Sequence, residues 1–519
     1  MKTRKKQTHR RGHTQKSNSL YFSTLPSQAT ANLSSPSQAK EKPSNFSTLR
    51  FEKFNFGSGD ASTKIVNLPS RATANLSSPS QATEKPYKLR FDNKMKTKEG
   101  WKLIEIKGNA YQRGFSHGKL LYKDLCKVCE IFPFIVKTEL SVSYEKYIQT
   151  CRRLIKPTII KYYPEFYEEM TGIVEGALSK GTNINIDIII AWNSVPSFYD
   201  YFGKTKQNRC TAFIATGSAT TDGKIVMGHN THCDFVTAQT QNIIIYVYPT
   251  NGGHPFVMQT SPGFIASGTD WFISSNGIIG CETTIAELKH KPKFNSGVPY
   301  FCRIRQAMQY GKSLDDYTKI MLKNNAGDYA CSWMFGNIHT NEIMLFDLGI
   351  ESHNIEKKKD GFFYGMNTPL NTEFRKKETN DEDIYDVRTS SGSRNLRLQQ
   401  LLSKTKKINI SYAKEILSDH YDIYENKQHL NGSSICKHGE LEEKENVRKS
   451  FFPYGCTDGK VVNYEMAKKM KFIGRFGSCC GRVFDAGQFV KKHPIYKPLK
   501  KYLPDFSYTD WAIIVKPKP

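Results

Sequence analysis

Short runs in which apolar and β-branched residues dominate recur along the second half of the chain, each bounded by turn-forming residues. The clearest covers 210–215, followed by Asp222-Gly223 and a second apolar run over 224–230. Asp-Gly between two such runs predicts a β-hairpin. Cys210 therefore opens one strand, and His229 and Asn230 close its neighbour. Further strands are expected over 103–106, 242–248, 256–259, 271–274, 278–282, 332–337 and 342–347. Apolar residues recur at three and four positions over 144–162 and 165–179, which predicts helices. Helices are also expected over 115–122, 300–310, 314–323 and 413–420. Residues 184–192 fit a short helix or a strand, and periodicity leaves both open. Residues 199–209 are polar and expected to be exposed, where a processing cut is easiest to accommodate. Beyond about 395 the pattern reads as helical and loop-rich. Strands, then helices, then strands again suggest an α+β layered core.

Composition changes this picture mainly at the N-terminus. The chain has 519 residues, 38% of them hydrophobic and 12% aromatic, enough to build a core over most of its length. Its net charge of +26 is concentrated early, through Lys2, Arg4, Lys5, Lys6, Arg10, Arg11 and Lys16. Such an arm suits an anionic surface or an acidic partner, or forms a basic tail with no single partner. It lacks the interleaved aromatics that stack bases, so no specific nucleic acid is expected. Residues 25–43 and 68–86 are nearly identical, differing only at 28/71 and 40/83. Both copies are rich in Ser, Pro, Ala and Thr, too polar to bury a core. Residues 1–96 are therefore expected to be a duplicated tail without chemistry of its own.

No run approaches the roughly 18 apolar residues of a membrane span, and no apolar signal region follows the basic start. An intracellular or virion-like location is expected over a secreted one. The twelve cysteines are scattered without a framework spacing, as free thiols would be. Cys126 and Cys129 form a lone CxxC, and Cys479-Cys480 are vicinal. The spacing of His229, His232 and Asp234 matches no zinc pattern, so neither metal nor cofactor is expected.

A cysteine attacks a carbonyl carbon as the thiolate and needs a base or a positive neighbour. Cutting Arg209–Cys210 would give Cys210 a free α-amino group, whose ordinary pKa of about 7.7–8.0 suits it to take the thiol proton. The plain alternative is a packing cysteine, since buried Cys is common. His229 is a candidate for orienting the nucleophile or holding a polar end of substrate. His232 is a candidate for the same role, or packs. Donors for a developing oxyanion could come from 282–285 or from 324–329, and both stay open.

The ordered motifs resemble those of the phospholipase B-like (lamina-ancestor-like) family and of autoproteolytic acyltransferases and hydrolases of the penicillin acyltransferase type. They are Arg209-Cys210-Thr211-Ala212-Phe213, Gly228-His229-Asn230-Thr231, Ser261-Pro262-Gly263, Gly268-Thr269-Asp270-Trp271-Phe272, Glu282-Thr283-Thr284-Ile285 and Asn325-Ala326-Gly327-Asp328-Tyr329. Asp419-His420-Tyr421-Asp422 and Phe484-Asp485-Ala486 extend the likeness toward the C-terminus. The resemblance implies an N-terminal-nucleophile hydrolase with an αββα sandwich. It implies self-cleavage at Arg209–Cys210, with 97–209 and 210–519 remaining associated as two chains of one domain. It implies Cys210, His229 and Thr283 as catalytic residues, with Asn230, His232, Asn325 and Cys331 as supporting candidates. Relatives often carry an aromatic residue at the position of His232 and Asn at that of Cys331. The function implied is hydrolysis of acyl ester or amide bonds, in phospholipids or other acylated small molecules, and hence lipid degradation. Two alternatives stand beside it: an N-acyl amidase or acyltransferase on non-lipid substrates, and a catalytically weak binding or structural protein.

Overall fold

The computed structural model describes residues 95–202, 210–295, 297–380, 384–442 and 453–517. All of these belong to one compact unit. The basic repeated segment up to position 94 lies outside the described residues, and so does Arg209.

The first strands in chain order are β1 (Lys96–Lys98), β2 (Trp101–Gly108), β3 (Cys210–Thr216), β4 (Val226–Asp234), β5 (Ile243–Pro249) and β6 (Phe256–Thr260). Next come β7 (Trp271–Ser274), β8 (Ile278–Thr284), β9 (Cys331–Asn337), β10 (Glu342–Leu348), β11 (His353–Lys358) and β12 (Gly361–Gly365). The last are β13 (Tyr421–Asp422), β14 (Lys427–Gln428), β15 (Tyr454–Asn463), β16 (Phe472–Phe476) and β17 (Ala512–Ile514). Among the described residues they form a nine-stranded sheet, β1-β2-β5-β6-β7-β8-β9-β10-β11, and a six-stranded sheet, β12-β3-β4-β15-β16-β17. Strands β2 and β5 pair in parallel, so residues before and after Cys210 share one sheet.

The two sheets lie face to face. Ala212, Ile214 and Met227 of one meet Ile244, Trp271, Ile279 and Met334 of the other. Alternation along each strand sends the next residues outward. Phe213, Ala215 and Val461 pack against Leu398, Leu401 and Ile416 of the helices Ser390–Leu402 and Ile410–Leu417. On the far side, Ile104, Ile245, Met258 and Phe335 meet Leu125, Ile173 and Ile304 from helices. The layers therefore run helix, sheet, sheet, helix: the expected αββα sandwich.

Local sequence explains several element boundaries. The helix Ala110–Leu120 begins earlier than the apolar pattern indicates, because Asn109 and Gln112 close a capping box. It packs so tightly on the helix Pro164–Leu178 that a Cβ at Gly114 would stand 1.9 Å from the Glu169 carbonyl oxygen. The expected helix over 144–162 is two helices, Tyr144–Leu154 and Lys156–Tyr162, with Pro157 in the first turn of the second. Residues 184–192 resolve to the helix Ile186–Asn193, capped by Asn185.

Two expectations are corrected. Tyr199 is buried, and Tyr201 and Phe202 pack against the core, so the start of the supposedly exposed segment 199–209 is interior. Residues 203–209 lie outside the described residues. The region beyond 395 supplies β15, β16 and β17 to the six-stranded sheet. Strand β15 contains Gly455, Asp458, Gly459 and Lys460 and reads as a loop, yet it is buried and pairs with β4 along most of its length. No helix among the described residues is long and apolar enough to cross a membrane.

Candidate active site

Cys210 begins β3 directly opposite Thr231 of β4 and is 2% exposed. Alternation places Cys210, His229 and Thr231 on the face between the sheets. Thr211, Asn230 and His232 fall on the opposite face, toward the helices. The Cys210 backbone is held firmly there. Arg394, from the helix Ser390–Leu402, donates Nη1 to the Cys210 carbonyl at 2.8 Å and to Thr211 Oγ1 at 3.0 Å. Its Nη2 reaches the Met366 carbonyl at 2.8 Å and Asn367 Oδ1 at 3.0 Å. The Thr211 N–H donates to Asn230 Oδ1 at 3.1 Å. Asn230 Nδ2 in turn donates to the carbonyls of Ile435 and Leu417, at 3.0 and 3.3 Å.

A narrow cavity of about 50 Å³ lies against the cysteine. Apolar residues such as Trp192, Val195 and Phe264 line it together with Thr231, Asp270 and Tyr329. That volume holds a few waters and no acyl chain, since one water needs roughly 10–15 Å³ on this measure.

Two carboxylates stand near the thiol, each tied to a tyrosine. Tyr300 Oη donates to Asp270 Oδ1 at 3.0 Å, and Tyr329 Oη donates to Glu282 Oε1 at 2.7 Å. Tyr329 Oη also lies 2.6 Å from Thr284 Oγ1. Burial pushes the Cys210 thiol well above the ordinary thiol range, and the charges of Glu282 and Asp270 push it further. The His232 backbone N–H and Lys460 oppose that shift. Lys460 anchors a second network behind Thr231. Its Nζ donates to Asp458 Oδ1 at 2.6 Å, Gln259 Oε1 at 2.7 Å and Thr231 Oγ1 at 2.9 Å. Lys460 and Asp458 are both fully buried, so each depends on the other for compensation.

The sequence-predicted residues occupy distinct places around this centre. His229 Nε2 lies 3.1 Å from the Glu282 carbonyl, while its Nδ1 is buried without a hydrogen-bond partner. Burial holds the His229 ring well below the usual imidazole range, so it is neutral. The Thr283 hydroxyl is buried and unpartnered, packed against Gly365 beside β3.

The other supporting candidates each have local partners. The His232 side chain faces the helices, with Nε2 3.0 Å from the Ile435 carbonyl, and only its backbone reaches the thiol. His229 and His232 thus point to opposite faces and do not share an ion. Asn325 braces its own turn, accepting from the Gly327 N–H at 2.8 Å and donating to the Gly349 carbonyl at 3.1 Å. The Cys331 sulfur lies 3.8 Å from the Tyr329 carbonyl, and burial pushes its thiol up, helped by the same Glu282 and Asp270 charges that act on Cys210. Asp270 and Glu282 fall inside the recognised motifs, where a search for paired carboxylates would have found them. Arg394 and Lys460 carried no local signal.

Residues 162–344 match the Phospholipase B family model. This span contains Cys210, His229, Thr283 and both carboxylates, and it bears out the resemblance read from the motifs. An uncharacterized protein of Archaeoglobus fulgidus is 27% identical over 240 residues, which are 43% of this chain and 39% of that protein. The chain thus spans well under two thirds of that relative's length. Among solved structures, a mutant of the conjugated bile acid hydrolase from Clostridium perfringens is similar at 11% identity, with a TM-score of 0.27 over 51% of this chain and 89% of that one. Penicillin V acylase of Agrobacterium tumefaciens is similar at 7% identity, with a TM-score of 0.29 over 51% and 83%. Scores this low carry no argument, and the fold stands on the strand order and layers above.

Proposed function

We propose that the chain is a phospholipase B-like hydrolase of acyl ester or amide bonds, acting through Cys210 as an N-terminal nucleophile after cleavage of Arg209–Cys210. The observation that carries this reading is the position of Cys210, at the first residue of a buried strand, on a cavity wall, beside two carboxylates. In the uncut chain that setting keeps the sulfur protonated. Cleavage would proceed by attack of Cys210 Sγ on the carbonyl of Arg209, passage of the thiol proton to the Cys210 nitrogen as the Arg209–Cys210 C–N bond breaks, and hydrolysis of the resulting thioester by water. The products are a carboxylate on Arg209 and an α-amine on Cys210.

The new amine supplies the missing base. It takes the thiol proton, and the resulting ammonium lies near Glu282 and Asp270, whose charges favour it. Sγ then attacks a substrate carbonyl, the ammonium returns its proton to the leaving oxygen or nitrogen, and water releases the acid from the thioester. The two chains would stay joined, because β2 and β5 are register-locked from Lys102–Ile243 to Gly108–Pro249. Acyl substrates require the small cavity to widen, and Trp192, Val195 and Phe264 offer the apolar surface for that.

The test is to offer purified chain a phospholipid and an N-acyl amide with hydroxylamine present. Fatty acid or hydroxamate should form with wild type and fall to background with Cys210→Ala. Turnover that survives Cys210→Ala contradicts the proposal.

A further inference from the structure

A second cluster of reactive side chains lies beside the outer face of the six-stranded sheet, and the hydrolase reading makes no use of it. His420, Cys436, His438 and Cys480 each offer one ligand atom, and these atoms all lie within 4.8 Å of one another. His438 Nε2 stands 3.6 Å from Cys436 Sγ and 3.5 Å from Cys480 Sγ. Tetrahedral zinc, with Zn–S of about 2.3 Å and Zn–N of about 2.0–2.1 Å, separates ligand sulfur from ligand nitrogen by about 3.6 Å. His438 Nδ1–H donates to Glu440 Oε1 at 2.7 Å, which leaves Nε2 as the ring nitrogen that faces the two sulfurs. A carboxylate bonded to the far nitrogen of a metal-bound imidazole is the usual outer partner in zinc sites. A single ring nitrogen cannot serve two sulfurs at once, whereas one cation serves all three atoms. The His420 Nε2 atom is buried with no hydrogen-bond partner.

We propose that His420, Cys436, His438 and Cys480 form a tetrahedral Zn²⁺ site. Two thiolates and two imidazoles suit zinc over magnesium or calcium, which prefer oxygen. Binding releases the two thiol protons to solvent, and the thiolate charges balance the ion. Four protein ligands close the coordination sphere, so the site is structural. A cleft of about 850 Å³, lined by His420 and Cys480 among others, gives the ion its route in.

The ligands come from three separate segments, which the ion would tie together. His420 follows the helix Ile410–Leu417, Cys436 and His438 lie in the loop before β15, and Cys480 follows β16. The Cys436 N–H already bonds the Asp419 carbonyl at 3.0 Å. Ile435, immediately before Cys436, accepts from both Asn230 and His232. Zinc would therefore brace the loop that supports β4 from behind. Cys456 and Cys479, whose sulfurs lie 3.4 Å apart, are neighbours outside the ligand set.

The full chain, reduced and stripped with chelator, is loaded with Zn²⁺ or with Co²⁺ and passed through a desalting column. The proposal expects one ion per chain and, with Co²⁺, sulfur-to-cobalt charge-transfer absorption with tetrahedral d–d bands. Cys480→Ser should abolish stoichiometric retention, and Glu440→Gln should weaken affinity about 10–100-fold while keeping the ligands. Glu425→Gln, in the separate group formed by buried Asp422 with Glu425 and exposed His429, should change nothing. Chelator should lower the thermal midpoint of wild type and leave that of Cys480→Ser unmoved. A folded wild-type chain that retains no ion overturns the proposal. So does cobalt absorption unchanged by Cys480→Ser, or a Cys436–Cys480 disulfide that persists after treatment with reductant.

Discussion

The two faces of the β3–β4 pair differ in what their polar groups hold. On the outer face, Asn230 uses both ends of its amide and Arg394 directs its guanidinium at five acceptors, while His232 Nδ1 is buried without a partner. On the inner face, His229 Nδ1 is buried without a partner, as is the Thr283 hydroxyl of the facing sheet, and the Cys210 thiol is pushed up by burial and nearby carboxylates. Buried polar groups are ordinarily bonded, and exceptions cluster where a ligand or a reaction completes them. The outer face therefore reads as the mould and the inner face as the working surface. Under the proposed function, Asn230 and Arg394 position the strand and Cys210 carries the chemistry.

Breaking the inner face at its buried ion pair should have the largest effect. Lys460→Met leaves Asp458 charged and uncompensated inside the protein, which costs about 3–5 kcal/mol. Urea unfolding measures it, and a loss under about 1 kcal/mol would contradict a coupled network behind Thr231.

The next effect concerns the loop that carries Ser261 and Phe264 to the cavity. His117 Nε2 accepts from the Gly263 N–H at 2.8 Å, and burial holds its pKa at about 4, below the ordinary 6.5. Between those values the unfolded chain binds a proton that the folded chain refuses. Stability is thus complete above about pH 6.5 and is lost as pH falls toward 4, by about 3 kcal/mol in all. Unfolding curves across that window should show the slope, and His117→Gln should flatten it.

The outer face should respond more mildly. Asn230→Ala strands the Thr211 N–H and the Leu417 carbonyl and takes one of two donors from the Ile435 carbonyl, for a loss of about 1–3 kcal/mol. Thr283→Val should be the gentlest, within about 1 kcal/mol, because its hydroxyl has no bond to lose. If Thr283 acts on substrate, its activity falls while its unfolding curve does not move. Were Thr283→Val the more damaging of the two to stability, the contrast between the faces would be reversed.

Much of this was readable from the chain alone, for identifiable reasons. The β3–β4 hairpin follows from two apolar runs around Asp222-Gly223, and Gly223 takes the φ of +71° that such a turn favours. The sidedness of His229 and His232 follows from period-two alternation, although motif adjacency had grouped them. Asn325 drew attention through its motif, yet its amide is engaged in its own turn. Strand β15 was hidden because Asp458 and Lys460 look like loop residues until each is buried against the other. The zinc ligands were hidden because positions 420, 436, 438 and 480 share no local spacing.

The central claim is that Cys210 becomes a chain terminus. Intact-mass measurement of purified wild type beside Cys210→Ala tests it most directly. Wild type should resolve into one chain ending at Arg209 and another beginning at Cys210, while Cys210→Ala stays whole. A wild-type chain that remains uncut would leave Cys210 without its base and contradict the account.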